Sequence, residues 1–130
     1  GDPDLVSYLG EVRKHQGFMV PGPAQAAGVA ALSDQVHVDV QRDRYLGRLQ
    51  VLVGVMAAIG IEAVLPEGAF YLWVEAPDGD AWAFGRRLAA GLGVVVSPGE
   101  FYGEAGTGHV RLAAVAVDER IDLVRERSGA

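Results

Sequence analysis

At 130 residues the chain is long enough for one domain with a single hydrophobic core and too short for two ordinary ones. A net charge of −6 argues against a general nucleic-acid surface, and no stretch approaches the roughly 20 apolar residues of a membrane span. The absence of cysteine removes disulfides, thiolate metal sites and cysteine nucleophiles together, and suits a cytoplasmic protein.

The chain opens on GDPD without a methionine, which predicts a piece of a longer polypeptide, and its polar start with Pro3 does not read as a signal peptide. Asp2 or Asp4 is placed to cap a helix in which Leu5, Leu9 and Val12 recur at helical spacing, with Gly17 placed to stop it. Two prolines and a glycine keep residues 18–23 out of a helix, after which residues 24–32 predict a short alanine-rich one. Between residues 36 and 59, Tyr45, Leu49, Leu52, Met56 and Ile59 recur every three or four positions, which predicts a long amphipathic helix with that stripe buried. Gly60 ends it.

Residues 61–65 predict a short strand, Pro66-Glu67-Gly68 a turn, and residues 69–75 (AFYLWVE) an aromatic-rich strand. Asp80 is a cap for a helix over 81–92 that faces Phe84, Leu88 and Leu92 inward. A strand at 94–97, a loop over 98–108 and a strand at 110–115 follow. Asp118 is then placed to cap a last helix with Ile121 and Val124 inside. The order is three helices followed by β-β-α-β-β-α, an α+β sandwich whose small mixed or mostly antiparallel sheet is covered by helices on one side.

Among chemical candidates the glycine-rich loop comes first. Gly103, Gly106 and Gly108 are followed by a strand, so the helix N-terminus that would hold a pyrophosphate is missing, and the glycines read as permitting positive φ or close approach. Arg111 follows that loop at the head of the next strand. A guanidinium there either grips a carboxylate with two parallel hydrogen bonds or pairs with a surface acid, and both readings stay open on residue pattern alone. His15, His37 and His109 show no metal spacing, Asp78-Gly79-Asp80 lacks the remaining ligands of a calcium loop, and no serine sits in a hydrolase elbow. Phe70, Tyr71 and Trp73 read as core side chains. The only lysine is Lys14.

The run Pro66-Glu67-Gly68-Ala69-Phe70-Tyr71-Leu72-Trp73, then Val96-Ser97-Pro98-Gly99-Glu100-Phe101-Tyr102-Gly103, then Gly108-His109-Val110-Arg111-Leu112 resembles the C-terminal part of class I/II aminotransferases of fold type I. Pro21-Gly22-Pro23-Ala24-Gln25-Ala26-Ala27 and the long helix fit the same family, and VRKHQGFMVPGPAQAA with SPGEFYG look most like succinyl-diaminopimelate aminotransferases of lysine biosynthesis. The resemblance implies residues 1–35 as a remnant of the large cofactor-binding domain and interdomain segment, and residues 36–130 as the small domain. It implies Arg111 as the clamp on the substrate α-carboxylate, with the GAFYLW turn, Ala69 and Phe70 among its residues, and the Phe101-Tyr102 loop lining the entrance. It also implies pyridoxal 5′-phosphate as cofactor, amino-acid and 2-oxo-acid substrates, and a homodimer in the intact enzyme. The family's Schiff-base lysine and main phosphate-binding residues would precede Gly1, so the chain alone is expected to be inactive and to self-associate through apolar surface. The alternative is a non-catalytic aminotransferase-like module for sensing or assembly.

Overall fold

A computed structural model describes all 130 residues as two compact units, residues 1–39 and 40–130. The first holds α1 (Pro3–His15) and α2 (Gly22–Ser33). The Asp2 carboxylate caps α1, accepting from the backbone N–H groups of Asp4 at 2.9 Å and Leu5 at 3.1 Å, and Pro3 fills the first turn where no N–H is needed. Between the helices, the carbonyls of Phe18 and Val20 accept from the side chains of Arg13 (3.2 Å) and Gln25 (2.7 Å). No residue of either helix is buried within the chain.

The second unit carries the core. It comprises most of α3 (Gln35–Ala58), then β1 (Tyr71–Glu75), α4 (Ala81–Leu92), β2 (Ser97–Pro98), β3 (His109–Ala113) and α5 (Asp118–Ser128). The three strands form one antiparallel sheet in the order β1-β3-β2, so β3 is central. Leu72 and Val74 of β1 sit opposite Leu112 and Val110 of β3, and all four point to the helix side. They meet Leu49, Leu52, Val55 and Met56 of α3, Phe84, Leu88 and Leu92 of α4, and Ile121 of α5. The class is α+β, with the helices packed on one face of the sheet.

Several expectations are corrected. Residues 61–65 form no strand: apart from the Ile61 N–H, which donates to the Met56 carbonyl, they have no backbone partner, and an extended segment without a ladder is not a strand. The predicted strand at 94–97 is reduced to Ser97–Pro98, because only those residues reach β3. The buried stripe of α3 is confined to its C-terminal half and includes Val55. Tyr45 is half-buried and Ile59 exposed, since the core does not extend under either end. Asp118 does not cap α5. It lies in the first turn, where its carboxylate accepts from Arg48 of α3, while Val117 takes the cap position. Asp80 does cap α4, accepting from the Ala83 N–H at 2.8 Å.

Leu72→Ala is expected to lower unfolding stability by about 2–5 kcal/mol in urea titrations, because the side chain is fully buried in the sheet–helix core. Val64→Ala, in the segment that forms no strand and 74% exposed, is expected to change it by less than about 0.5 kcal/mol.

Candidate functional site

Strand alternation gives the sheet a second face. With Leu72, Val74, Val110 and Leu112 inward, Tyr71, Trp73 and Glu75 of β1 and His109, Arg111 and Ala113 of β3 must point to the opposite face. Tyr71 and Trp73, expected in the core, therefore stand on this outer face. Trp73 is 44% exposed, and aliphatic Leu72 and Val74 occupy the inner positions.

Arg111 is the middle residue of the central strand rather than its head, with Trp73 opposite on one side and Ser97 on the other. Its guanidinium carbon lies 4.3 Å from the ring centre of Tyr71 and 4.7 Å from that of Tyr102. The two rings touch the guanidinium and not each other. No carboxylate of the chain pairs with Arg111, and its Nε is buried without a hydrogen-bond partner. A surface ion pair, one of the two readings open from sequence, is not what holds this arginine.

The aromatic surround continues in both directions. Phe70 packs on Tyr71 (4.4 Å between ring centres) and on Tyr45 of α3 (5.2 Å), which steadies the Tyr71 ring from behind. Tyr102 meets the edge of Trp73 at 5.9 Å, and Trp73 stacks on His109 at 5.4 Å, whose Nδ1 is also buried and unpartnered. Beyond Trp73 the face opens into a groove of about 450 Å³ lined by Glu62, Glu75, Asp78 and His109, among others. Its carboxylates repel anions, which leaves Arg111 as the anion-attracting group of the face.

The glycine-rich connection delivers Tyr102. It is folded as two 3₁₀ turns, Gly99–Tyr102 and Glu104–Gly106, that press the backbones of Gly99 and Gly106 together beneath the Trp73 ring. A Cβ on Gly99 would lie 2.8 Å from the Trp73 ring and 2.9 Å from the His109 carbonyl, and one on Gly106 would lie 2.9 Å from the Gly99 carbonyl carbon. Close approach is the reason for these glycines, and no phosphate is needed to explain them.

Of the residues expected at the entrance, Phe70 is part of the ring cluster that includes Tyr71. Ala69 turns the chain into β1 with a left-handed φ of 67°, a conformation rare for a residue with a Cβ. Phe101 directs its ring against Trp82 at 5.9 Å, and the Trp82 indole donates to the Glu100 carboxylate at 2.8 Å. Tyr102, next in the chain, supplies the ring at the guanidinium. Tyr71 as a site residue was within reach of the sequence, since fixing Leu72 and Val74 inward assigns it to the face of Arg111. The family resemblance places Tyr102 in the entrance loop, whereas its contact with the guanidinium depends on the packing of Gly99 against Gly106, which no local signal encodes.

Elsewhere, His15 and His37 lie on exposed helix surfaces beside Glu11 (3.6 Å) and Asp34 (3.1 Å), and the hydrogen bond from His37 holds the Asp34 carboxyl below the usual carboxylate range. No three His, Asp or Glu side chains gather into a metal-binding group. Lys14 is exposed on α1 with its ammonium 3.3 Å from Glu11.

The family model described as aminotransferase class I and II matches residues 1–126. The chain is 48% identical over 127 residues to the 4-dedimethylamino-4-oxo-anhydrotetracycline transaminase OxyQ of Streptomyces rimosus, covering 98% of this chain and 35% of that protein. It is 33% identical to the LL-diaminopimelate aminotransferase of Aquifex aeolicus, covering 98% and 33% respectively. Among solved structures, an aminotransferase from Staphylococcus aureus superposes with a TM-score of 0.83 at 26% identity over 98% of this chain and 34% of its own. The chain spans about a third of the length of the curated relatives it matches.

Gly106→Ala is expected to cost about 1–3 kcal/mol of stability by overpacking the turn pair. Gly91→Ala, on α4 with no atom within 4 Å of the added methyl, is expected to be neutral or to stabilise by up to about 1 kcal/mol. Thermal melts of the two variants beside the parent read the contrast.

Proposed function

The chain belongs to the class I and II aminotransferases, and on that premise we propose that it forms the C-terminal, carboxylate-binding part of a pyridoxal-phosphate-dependent transaminase in which Arg111 grips the α-carboxylate of amino-acid and 2-oxo-acid substrates. The observation that carries this reading is the state of Arg111: a half-buried guanidinium between two phenol rings, with no acidic partner in the chain. A carboxylate pairs with the outer Nη donors of such a guanidinium through two parallel charge-assisted hydrogen bonds, which a point-like ammonium could not form in the same geometry. On this reading residues 1–35 are a remnant of the large domain, residues 36–130 are the small domain, and Ala69, Phe70 and Phe101 stand at the substrate entrance.

The residues present do not fit the cofactor itself. Lys14, the single lysine, is solvent-exposed and paired with Glu11, and no phosphate cradle accompanies it. Cofactor chemistry therefore falls to segments beyond this chain, and the role of these residues is to bind and orient substrate. For the finer substrate we propose diaminopimelate or its succinylated form. The name of the Aquifex aeolicus relative favours this choice, and that of the Streptomyces rimosus relative favours a tetracyclic oxo substrate instead. A cytoplasmic homodimer accords with the absence of any helix able to cross a membrane and with the exposed Leu5, Leu9, Phe18, Met19 and Leu32 of the first unit.

In an enzyme that carries this region, Arg111→Ala is expected to weaken amino-acid binding at least about 30-fold while leaving cofactor content unchanged, as follows from losing a hydrogen-bonded charge pair worth about 2–5 kcal/mol. Unchanged substrate affinity would contradict the clamp. Separately, the 130-residue chain incubated with pyridoxal phosphate, glutamate and a 2-oxo acid is expected to release no 2-oxoglutarate; sustained release would overturn its assignment as an incomplete catalyst.

A further inference from the structure

We infer that Tyr71 and Tyr102 form a slot that selects planar carboxylates over tetrahedral anions of the same charge, and that the two phenols are thereby specificity-determining residues of the Arg111 site. The inference rests on the carboxylate reading above and goes beyond it, since an arginine alone binds sulfonate, phosphate and carboxylate through the same donors.

Three observations carry it. First, both rings approach the guanidinium carbon closely, at 4.3 Å and 4.7 Å, and they come from different parts of the sheet: Tyr71 from β1 on one flank of the central strand, and Tyr102 from the turn after β2 on the other. A phenol is larger than a guanidinium, so a ring centred near Cζ overhangs the nitrogens and the space in front of them. Second, both rings are held from outside. Phe70, itself stacked on Tyr45, packs on Tyr71, and the contact with Trp73 and the packed Gly99–Gly106 turns fix Tyr102. Third, no group of the chain accepts from the guanidinium, so a ligand that pairs with its outer Nη donors must present its oxygens in the guanidinium plane.

A carboxylate fulfils that demand with both oxygens and its carbon in one plane, and it leaves nothing above or below. A sulfonate or phosphonate that places two oxygens in the plane must send its remaining substituents out of it, toward the ring faces. Those faces carry the negative side of the aromatic quadrupole, so an anionic oxygen turned toward them is opposed by electrostatic repulsion. The same faces stabilise the cation, which keeps the guanidinium in the slot while it is empty.

Acetate and methanesulfonate test this directly, because both are monoanions that carry one methyl group. With ¹⁵N-labelled protein, the Arg111 Nε–Hε resonance, assigned by its loss in Arg111→Lys, is followed as each anion is added. Acetate is expected to shift it at concentrations roughly tenfold lower than methanesulfonate, the factor that about 1.4 kcal/mol represents. Tyr71→Leu and Tyr102→Leu are expected to bring the two affinities within about twofold, whereas Tyr71→Phe and Tyr102→Phe, which keep the rings, are expected to retain the preference.

Equal binding of both anions by the parent protein would overturn the slot and leave the clamp standing. No response to acetate at any concentration would overturn the clamp and the slot with it. A preference that survives in folded leucine variants would also refute the role of the phenols. Should a leucine variant fail to fold, the parent ratio and the phenylalanine variants still decide the matter.

Discussion

An arginine that is half-buried and has no carboxylate partner is expensive to keep, and the outer face of this sheet is organised around keeping one. Desolvating the Arg111 guanidinium forfeits hydration, and leaving Nε without an acceptor adds the cost of an unmade hydrogen bond. Two ring faces return about 0.5–2 kcal/mol each, which offsets part of that cost without using the hydrogen-bonding edge. An incoming carboxylate adds charge-assisted hydrogen bonds at the outer Nη donors, which have no partner in the chain. A site built this way is preorganised: the side chain is already desolvated and oriented, so little ordering remains to oppose binding.

The rest of the second unit can be read as support for that arrangement. Alternation along β1 and β3 sends four aliphatic side chains into the helices and, by the same geometry, sends Tyr71, Trp73 and Arg111 out. The core beneath β3 holds the arginine on the strand with neighbours on both sides, the least deformable position the sheet offers. Tyr102 comes from an irregular segment, and its position is secured differently, by two turns whose glycines leave no room for a side chain. A strand and a loop thus fix the two rings by separate means, and substitutions that spoil one need not spoil the other.

Much of this fold was legible in the sequence. Helix periodicity located four of the five helices, because a repeat of three or four residues with a cap such as Asp80 is a local signal, and alanine-rich composition located α2. The strands were less so, since a strand exists only where another strand completes its hydrogen bonds. Residues 61–65 have strand-like composition and no partner, and residues 94–96 lie outside the reach of β3. Arg111 stood out as a chemical candidate because a lone cation after a glycine-rich loop is conspicuous. Its contacts with Tyr71 and Tyr102 were not legible: Tyr71 reads as core in an acidic chain whose aromatics alternate over both sheet faces, and Tyr102, placed at the entrance by family resemblance alone, reaches the guanidinium through a loop conformation that no periodicity encodes. The Asp118 cap failed by one residue of register: α5 begins at Asp118 itself with Val117 at the cap position, and the Asp118 carboxylate accepts from Arg48.

The most direct measurement is a crystal structure of the protein with a small 2-oxo acid bound. The account predicts the carboxylate in the guanidinium plane between Tyr71 and Tyr102, with its oxygens about 2.7–2.9 Å from the Arg111 nitrogens. A carboxylate bound elsewhere, or Arg111 turned away to pair with an acidic side chain of the protein itself, would contradict it.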